Sequence, residues 1–428
     1  MKCKDLLFVS FQLLAATSPA SLSGVIAAQV AATVQQAPAL PAPQQQPTFG
    51  FVDATLPPAH RRLLELAFEA TVGMPDFPHI DNRTRMQEEV ALACIAAGQH
   101  KLAETLAARI SNWRRGVIHA ELAVKAAEKG TDKLAQRQLQ FANSAMASLT
   151  TDEDAQAWQR DRIRARLALA YRRLGDDDKA ATLAAELDAS QAREWSLEQA
   201  LDAPAADFEA QIKAFEQVLE SGNLDDVLNV TRIFRALYLR HYADEARRLR
   251  IEGVVKGALQ KMPPLASFTN TLEFIAIAAE GGDGKGAREW LGDVSSKVMA
   301  ARWYQEDLME MRARIARTWF VIGDRSRAAA ELDETLADFE NARDKMQSNF
   351  RADGLVPVAE AWHVLGNDAN ALAIYRRALT ECVENGNSRP RLEDLVMTCL
   401  SIVKVGFEPD EALLEQAAAV RKGLGEPW

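Results

Sequence analysis

Few residues in this chain of 428 combine type and spacing in a way that could do chemistry. Gly281 to Ala287 reads GGDGKGA, which invites a phosphate-binding loop. Such a loop needs a preceding strand, a glycine five residues before its Gly-Lys pair, and Ser or Thr after the lysine. Ala279 stands at the first of those sites and Gly286 at the last, so the segment is expected to be a turn between helices. His60, His79, His100, His119, His241 and His363 are scattered singly with no HExxH or related pair, and no metal site is expected. Nor does any GxSxG elbow accompany the serines. Glu331 with Glu334, and Asp176 with Asp177 and Asp178, would interest a glycosidase. Acid and base catalysis requires one carboxyl in an apolar pocket. These carboxylates fall on expected solvated faces or at a turn, and aromatic residues, at 7%, are thin for sugar stacking. No catalytic residue and no cofactor is therefore expected.

The remaining reactive groups are sparse. Cys3, Cys94, Cys382 and Cys399 lack zinc-site spacing and are too few for a disulfide scaffold. Cys382 and Cys399 could pair in an oxidising compartment, but buried thiols are the preferred reading. Asn82-Arg83-Thr84 is a formal glycosylation sequon. Arg160, Arg162, Arg164, Arg166, Arg172 and Arg173 concentrate positive charge on one expected helix of an otherwise acidic chain. Its net charge of −10 argues against a nucleic-acid partner, because phosphate-backbone binding needs a basic surface. Hydrophobic residues at 48% and charged residues at 26% are ordinary for a globular protein with a real core.

What must position these residues begins with the chain's first segment. Lys2 and Lys4 precede an apolar run from Leu6 to Ala16, and no charge follows Asp5 until Asp53. That is the pattern of a secretory signal, with Val30-Ala31-Ala32 as the better cleavage site. An uncleaved membrane anchor is the competing reading, since Leu6 to Val34 carries no charge. The expected plan is a signal over 1–32, a Pro/Gln-rich disordered spacer over 33–58, and helical lobes over 59–203 and 204–428, broken near Leu201-Asp202-Ala203-Pro204.

From His79 onward, long proline-free stretches run to Ala203, from Ala205 to Met262, and from Leu265 up to Pro357. Long helices account for that distribution. Apolar positions recur at three and four, as in Ile163, Leu167, Ala170, Tyr171 and Leu174, and strand patterning is absent.

A frame of glycine, then a small residue at +5 and bulkier or small residues at +9 and +12, recurs six times. It starts at Gly98 (Ala103, Ala107, Ile110), Gly130 (Ala135, Leu139, Ala142), Gly175 (Ala180, Ala184, Leu187), Gly282 (Ala287, Leu291, Val294), Gly323 (Ala328, Leu332, Thr335) and Gly366 (Ala371, Tyr375, Ala378). A glycine can take the left-handed conformation of a helix cap, and the small residue lets the second helix approach the first. A degenerate copy is placed around His241, with Ala246 and Ile251.

This frame resembles the tetratricopeptide repeat family, best at Trp362, Leu365-Gly366, Ala371, Tyr375 and Ala378 and next at Tyr171, Leu174-Gly175 and Ala180. The resemblance implies an all-α fold: a right-handed α-solenoid of helix-turn-helix repeats, with about eight or nine helix pairs. Successive glycines lie 32, 45, 41 and 43 residues apart where they can be compared, against about 34 in the family. The family's mid-helix glycine is replaced by Ala91, Ala123, Ala168, Ala316 and Ala359, so longer helices are expected.

The resemblance also implies a function: a non-enzymatic scaffold or adaptor, exported or membrane-tethered, that binds a protein or peptide on a concave surface lined by first helices. Arg162, Arg172, Arg317, Phe320, Glu360 and His363 would face that surface and suit an acidic or C-terminal peptide. Salt bridging along the helix surface is the competing use of the arginines. The runner-up functions are a polysaccharide hydrolase or lyase on a helical toroid, and a self-associating repeat protein, that is, a homo-oligomer.

Overall fold

The computed structural model describes residues 50–149, 157–188, 192, 195, 207–220 and 234–428. The chain divides into two units, Met1–Phe51 and Val52–Trp428, and every helix named below belongs to the second. The expected signal, most of the expected spacer and the expected break at 201–204 lie outside the described residues. The last part of that spacer is packed: the Ala54 amide donates to the Gly98 carbonyl at 3.0 Å, and Asp53 accepts from the Lys101 amide at 2.6 Å.

Among the described residues the regular structure is helical throughout, with no strand. In chain order the helices are α1 (Pro58–Val72), α2 (Asp76–Ala96), α3 (His100–Ala107), α4 (Arg114–Glu128), α5 (Asp132–Ala147), α6 (Ala157–Arg173) and α7 (Asp177–Ala185). Then follow α8 (Phe208–Glu220), α9 (Glu245–Leu259), α10 (Pro264–Glu280), α11 (Gly284–Ala300), α12 (Gln305–Val321) and α13 (Arg325–Ala342). The series ends with α14 (Ser348–Val364), α15 (Asp368–Val383), α16 (Ser388–Val405) and α17 (Glu411–Lys422). A further helical run covers 234–241. Pro58 and Pro264 open α1 and α10, where a missing N–H costs nothing. Pro357 behaves otherwise: it lies inside α14, so the proline-free stretch that ends there does not end a helix.

The six framed glycines are all left-handed, with φ of +71° at Gly98, +66° at Gly130, +79° at Gly175, +98° at Gly282, +89° at Gly323 and +78° at Gly366. At each, the next amide donates to the carbonyl five residues back, as in Asp324 to Trp319 at 2.9 Å and Asn367 to Trp362 at 2.9 Å. That bond closes a Schellman cap. Asp176, Asp283, Asp324 and Asn367 then accept the amide three residues on with their side chains, so one short turn ends a helix and begins the next. The alanines at +5 (Ala103, Ala135, Ala180, Ala287, Ala328 and Ala371) are all buried, as are Ala91, Ala123, Ala168, Ala316 and Ala359.

Two positions depart from the frame. Gly406 is a seventh left-handed cap, at φ +75°, with the Phe407 amide on the Ile402 carbonyl. Its following helix starts late, after the cap residue Asp410, which displaces the small-residue position. The copy placed on His241 is out of register, because Asp244 caps α9 and Ala246 is exposed.

Helices pair as α4–α5, α6–α7, α10–α11, α12–α13 and α14–α15, and the first members stack in the orders α10, α12, α14, α16 and α2, α4, α6. The two stacks are joined head to tail. Helix α1 packs on α16 and α17, and α2 touches α16. His60 Nε2 donates to the Phe407 carbonyl at 2.7 Å, Arg62 pairs with Glu411 at 2.6 Å, and Arg85 reaches Glu393 at 3.4 Å. A solenoid laid out in sequence order would leave these ends apart, whereas here the first and last described helices are neighbours. Leu63, Leu64 and Phe68 of α1 and Phe407 are fully buried. Large apolar side chains of this kind contribute a few kcal/mol each when withdrawn from water.

Candidate functional site

The residues expected to face a partner lie along the stacked first helices, where Arg162, Arg317, Glu360 and His363 are paired. From the run 234–241 to α6, ion pairs link successive first helices: Arg235 with Glu273 (3.6 Å), Arg314 with Glu273 (3.7 Å), Arg317 with Glu360 (3.8 Å) and Lys404 with Glu360 (3.5 Å). The sequence continues across the head-to-tail contact with Arg85 and Glu393, then Arg114 and Glu88, then Arg166 and Glu121 at 4.0 Å. Apart from the buried Arg114–Glu88 pair, these are partly exposed and contribute little stability individually.

Arg317 and Phe320 stand on α12 and Glu360 and His363 on α14, and the Arg317–Glu360 pair links the two helices. Glu360 Oε1 accepts the Ser401 hydroxyl at 2.8 Å as well as facing Arg317 and Lys404. His363 has Nδ1 2.7 Å from the Asp368 carboxylate and Nε2 3.1 Å from the Val405 carbonyl, with its ring edge-on to Phe407. Phe320 is half-buried beneath the Arg325 guanidinium, 5.1 Å from its ring centre, rather than an exposed aromatic.

Arg162 and Arg172 stand on α6, each against its own tryptophan. Arg162 donates to Glu88 Oε1 at 2.7 Å, and its guanidinium lies 5.3 Å from the Trp113 ring centre. Arg114 covers the same ring at 4.7 Å, and Trp158 meets it edge-on at 5.1 Å. Arg172 lies 5.8 Å from the Trp195 ring. Arg162 and Arg317 make ion pairs between helices rather than with acids along their own helix.

The other chemical candidates have structural duties. GGDGKGA is the α10–α11 turn, and the Asp283 carboxylate accepts the Gly286 amide at 2.9 Å, so an acid already occupies the helix start that a phosphate would need. Glu331 and Glu334, with Asp338, clamp the buried Arg312. Asp176 caps α7. Cys94, Cys382 and Cys399 are free and buried, so Cys382 and Cys399 do not pair, and burial pushes the Cys94 and Cys399 thiols up to about 12. The sequon lies within α2, where Thr84 is fully buried and accepts from Asn112 at 2.8 Å. Among the described residues no group of three or more His, Cys, Asp or Glu side chains is placed to hold a metal ion.

Two clefts fall outside anything the residue patterns marked. One, of about 390 Å³, is lined by Asn349, Asn387, Arg389, Pro390, Glu393 and Trp428, beside the head-to-tail contact. The other, also about 390 Å³, is lined by Glu104, Ala108, Arg115, His119, Phe141, Ser144 and Ala145 where α3, α4 and α5 meet. Phe141 was the legible signal: an aromatic on the outward stripe of α5, two residues past the inward Leu139, which is buried while Phe141 is 45% exposed.

No known family's sequence profile matches the chain, and no curated protein does. Among solved structures, it is similar to one described as a circular tandem repeat protein with novel repeat topology and enhanced subunit contact surfaces, at 17% identity and a TM-score of 0.24. That match covers 86% of this chain and 96% of the other. A superposition that loose transfers neither shape nor function.

Proposed function

We propose that this helical repeat protein is a non-enzymatic scaffold that binds a protein or peptide along its stacked first helices. The observation that carries the reading is the run of ion pairs linking those helices, whose cations are partly exposed at Arg162, Arg317 and Lys404. A segment bearing its own carboxylates adds to the solvent side of Arg162, Arg317 and Lys404, which are about one-third to one-half exposed, while the buried Glu88 and Glu360 hold those cations in place. The helices are ordered before the partner arrives, so the receptor loses little freedom on binding. Arg162, Arg172 and Arg317 supply the charge, with Phe320, Glu360 and His363 beside Arg317. The right-handed course of a tetratricopeptide-type solenoid belongs to this proposal, supported by the left-handed glycine and buried alanine of each turn. So does an extracytoplasmic location through the segment 1–32; terminal sequencing of the mature protein beside envelope fractionation tests it, and a cytosolic chain retaining Met1 would refute it.

The binding test uses the full chain and its Arg162→Gln, Arg172→Gln, Arg317→Gln variant for affinity capture from native envelope extract. Circular dichroism and a thermal melt establish that both forms are folded. A partner held by the unaltered chain and weakened tenfold or more in the variant is the expected result. Equal recovery by both forms would remove the arginines from the surface, and recovery of nothing but the chain itself would favour self-association.

A further inference from the structure

The cleft between α3, α4 and α5 has the chemistry of a small-ligand site. Its polar wall is fixed by a chain of hydrogen bonds. Arg137 and the Gln138 amide nitrogen both donate to Glu104 Oε1 at 2.6 Å, which neutralises that carboxylate and orients the Gln138 amide. Gln138 Oε1 therefore faces His119 Nδ1 at 2.8 Å, so Nδ1 carries the proton and Nε2 is left as an acceptor. Burial, with Arg115 and Arg137 nearby, lowers the His119 pKa and keeps the imidazole neutral.

Against this wall stand an apolar floor and one uncommitted cation. Ala108, Ala145 and the half-exposed Phe141 ring supply the floor, with Phe141 5.0 Å from the His119 ring. Ser144 adds a hydroxyl at the rim. The Arg115 guanidinium lines the cleft with no hydrogen bond or ion pair to any described residue, unlike those of Arg114 beside it, Arg137 and Arg162. Around the cleft Arg137 cancels Glu104, His119 is neutral, and the guanidinium of Arg115 remains as net positive charge.

We infer that this cleft binds a small organic carboxylate with an apolar or aromatic body, its carboxylate on Arg115 and its body against Phe141, Ala108 and Ala145. A guanidinium fork matches a carboxylate in two parallel hydrogen bonds, and a cleft of this volume is at the small end of ligand sites. The ligand is distinct from the partner of the first-helix layer, and the inference stands without that reading.

Titration calorimetry of the full chain with 4-phenylbutyrate tests it, beside 4-phenylbutyramide, which keeps the body and loses the charge, and acetate, which keeps the charge and loses the body. Binding of phenylbutyrate at about 1 mM or tighter is expected, with the amide and acetate each at least tenfold weaker. Arg115→Gln weakens binding about tenfold or more and leaves the thermal melt in place, since its side chain holds no partner. Phe141→Ala weakens binding severalfold, and Arg302→Gln, an exposed arginine outside the cleft, does not. The inference is overturned if phenylbutyrate does not bind up to about 10 mM, if amide and acid bind alike, or if Arg115→Gln binds as the unaltered chain does. Should Phe141→Ala unfold the protein, the amide and Arg115→Gln arms still decide.

Discussion

Glu89 illustrates how one residue on a stacked first helix answers to its surroundings. Burial raises its pKa to about 7, with Glu88 and Glu393 pushing the same way and Arg85 and Arg114 opposing. An unfolded glutamate releases its proton nearer pH 4.3. Between those values the native state keeps a proton that the unfolded state has lost, so stability falls as pH rises from about 4.3 to 7 and the penalty is complete above it. Glu89→Gln removes the group. Urea denaturation at a series of pH values is expected to show the variant equal to the unaltered chain at pH 4 and more stable by about 1–2 kcal/mol at pH 8. Identical profiles would mean that Glu89 is solvated in the native state. His100 works in the opposite sense: buried beside Lys129, its pKa is lowered to about 4, so it costs stability progressively as pH falls through the range below 6.5.

At the scale of the helix pair, the turn carries the design. Gly323 has φ +89°, and a Cβ added there would meet nothing within 4 Å. Gly323→Ala therefore tests the backbone alone, and a loss of about 1 kcal/mol in denaturant midpoint measurements is expected. Ala328→Leu, at the fully buried +5 site, tests close approach instead, with an expected cost of about 1–3 kcal/mol. If Ala328→Leu were tolerated and Gly323→Ala severe, the turn would fix the pair and close packing would be incidental. Asp324 adds to the same turn by capping α13 and by holding Arg288 at 2.7 Å.

Across the whole described array, the contact between α1 and α16 couples residues at opposite ends of the sequence. Phe407 is buried against Tyr375 and His363, and its carbonyl receives His60. Phe407→Ala leaves a cavity costing about 3–5 kcal/mol, and repeat arrays transmit such losses mainly to neighbours. Native-state hydrogen exchange is expected to speed up in α1 and α16 together, with α12 little changed. Acceleration confined to α16 and α17 would show that α1 does not depend on the head-to-tail contact.

How much of this the sequence holds follows from the range of each interaction. The frame of Gly98, Gly130, Gly175, Gly282, Gly323 and Gly366 is legible because a left-handed cap and the small residue five positions on act within one turn of chain. The same locality hid Gly406, whose helix starts three residues later than the frame expects. The partners of Arg162 and Arg317 were not legible, since any arginine on a helix surface has many acidic residues to choose from, and the choice of Glu88, 74 positions away, is made by helix stacking. Nor was the cleft at Arg115, which exists only where three helices converge. The sequence by itself determined helices, caps and buried alanines, because backbone conformation and side-chain period are local. Tertiary structure alone decided that His60 meets Phe407 across 347 positions, which arginines are consumed in pairs, and which one is left facing a cleft, because those depend on how helix faces pack.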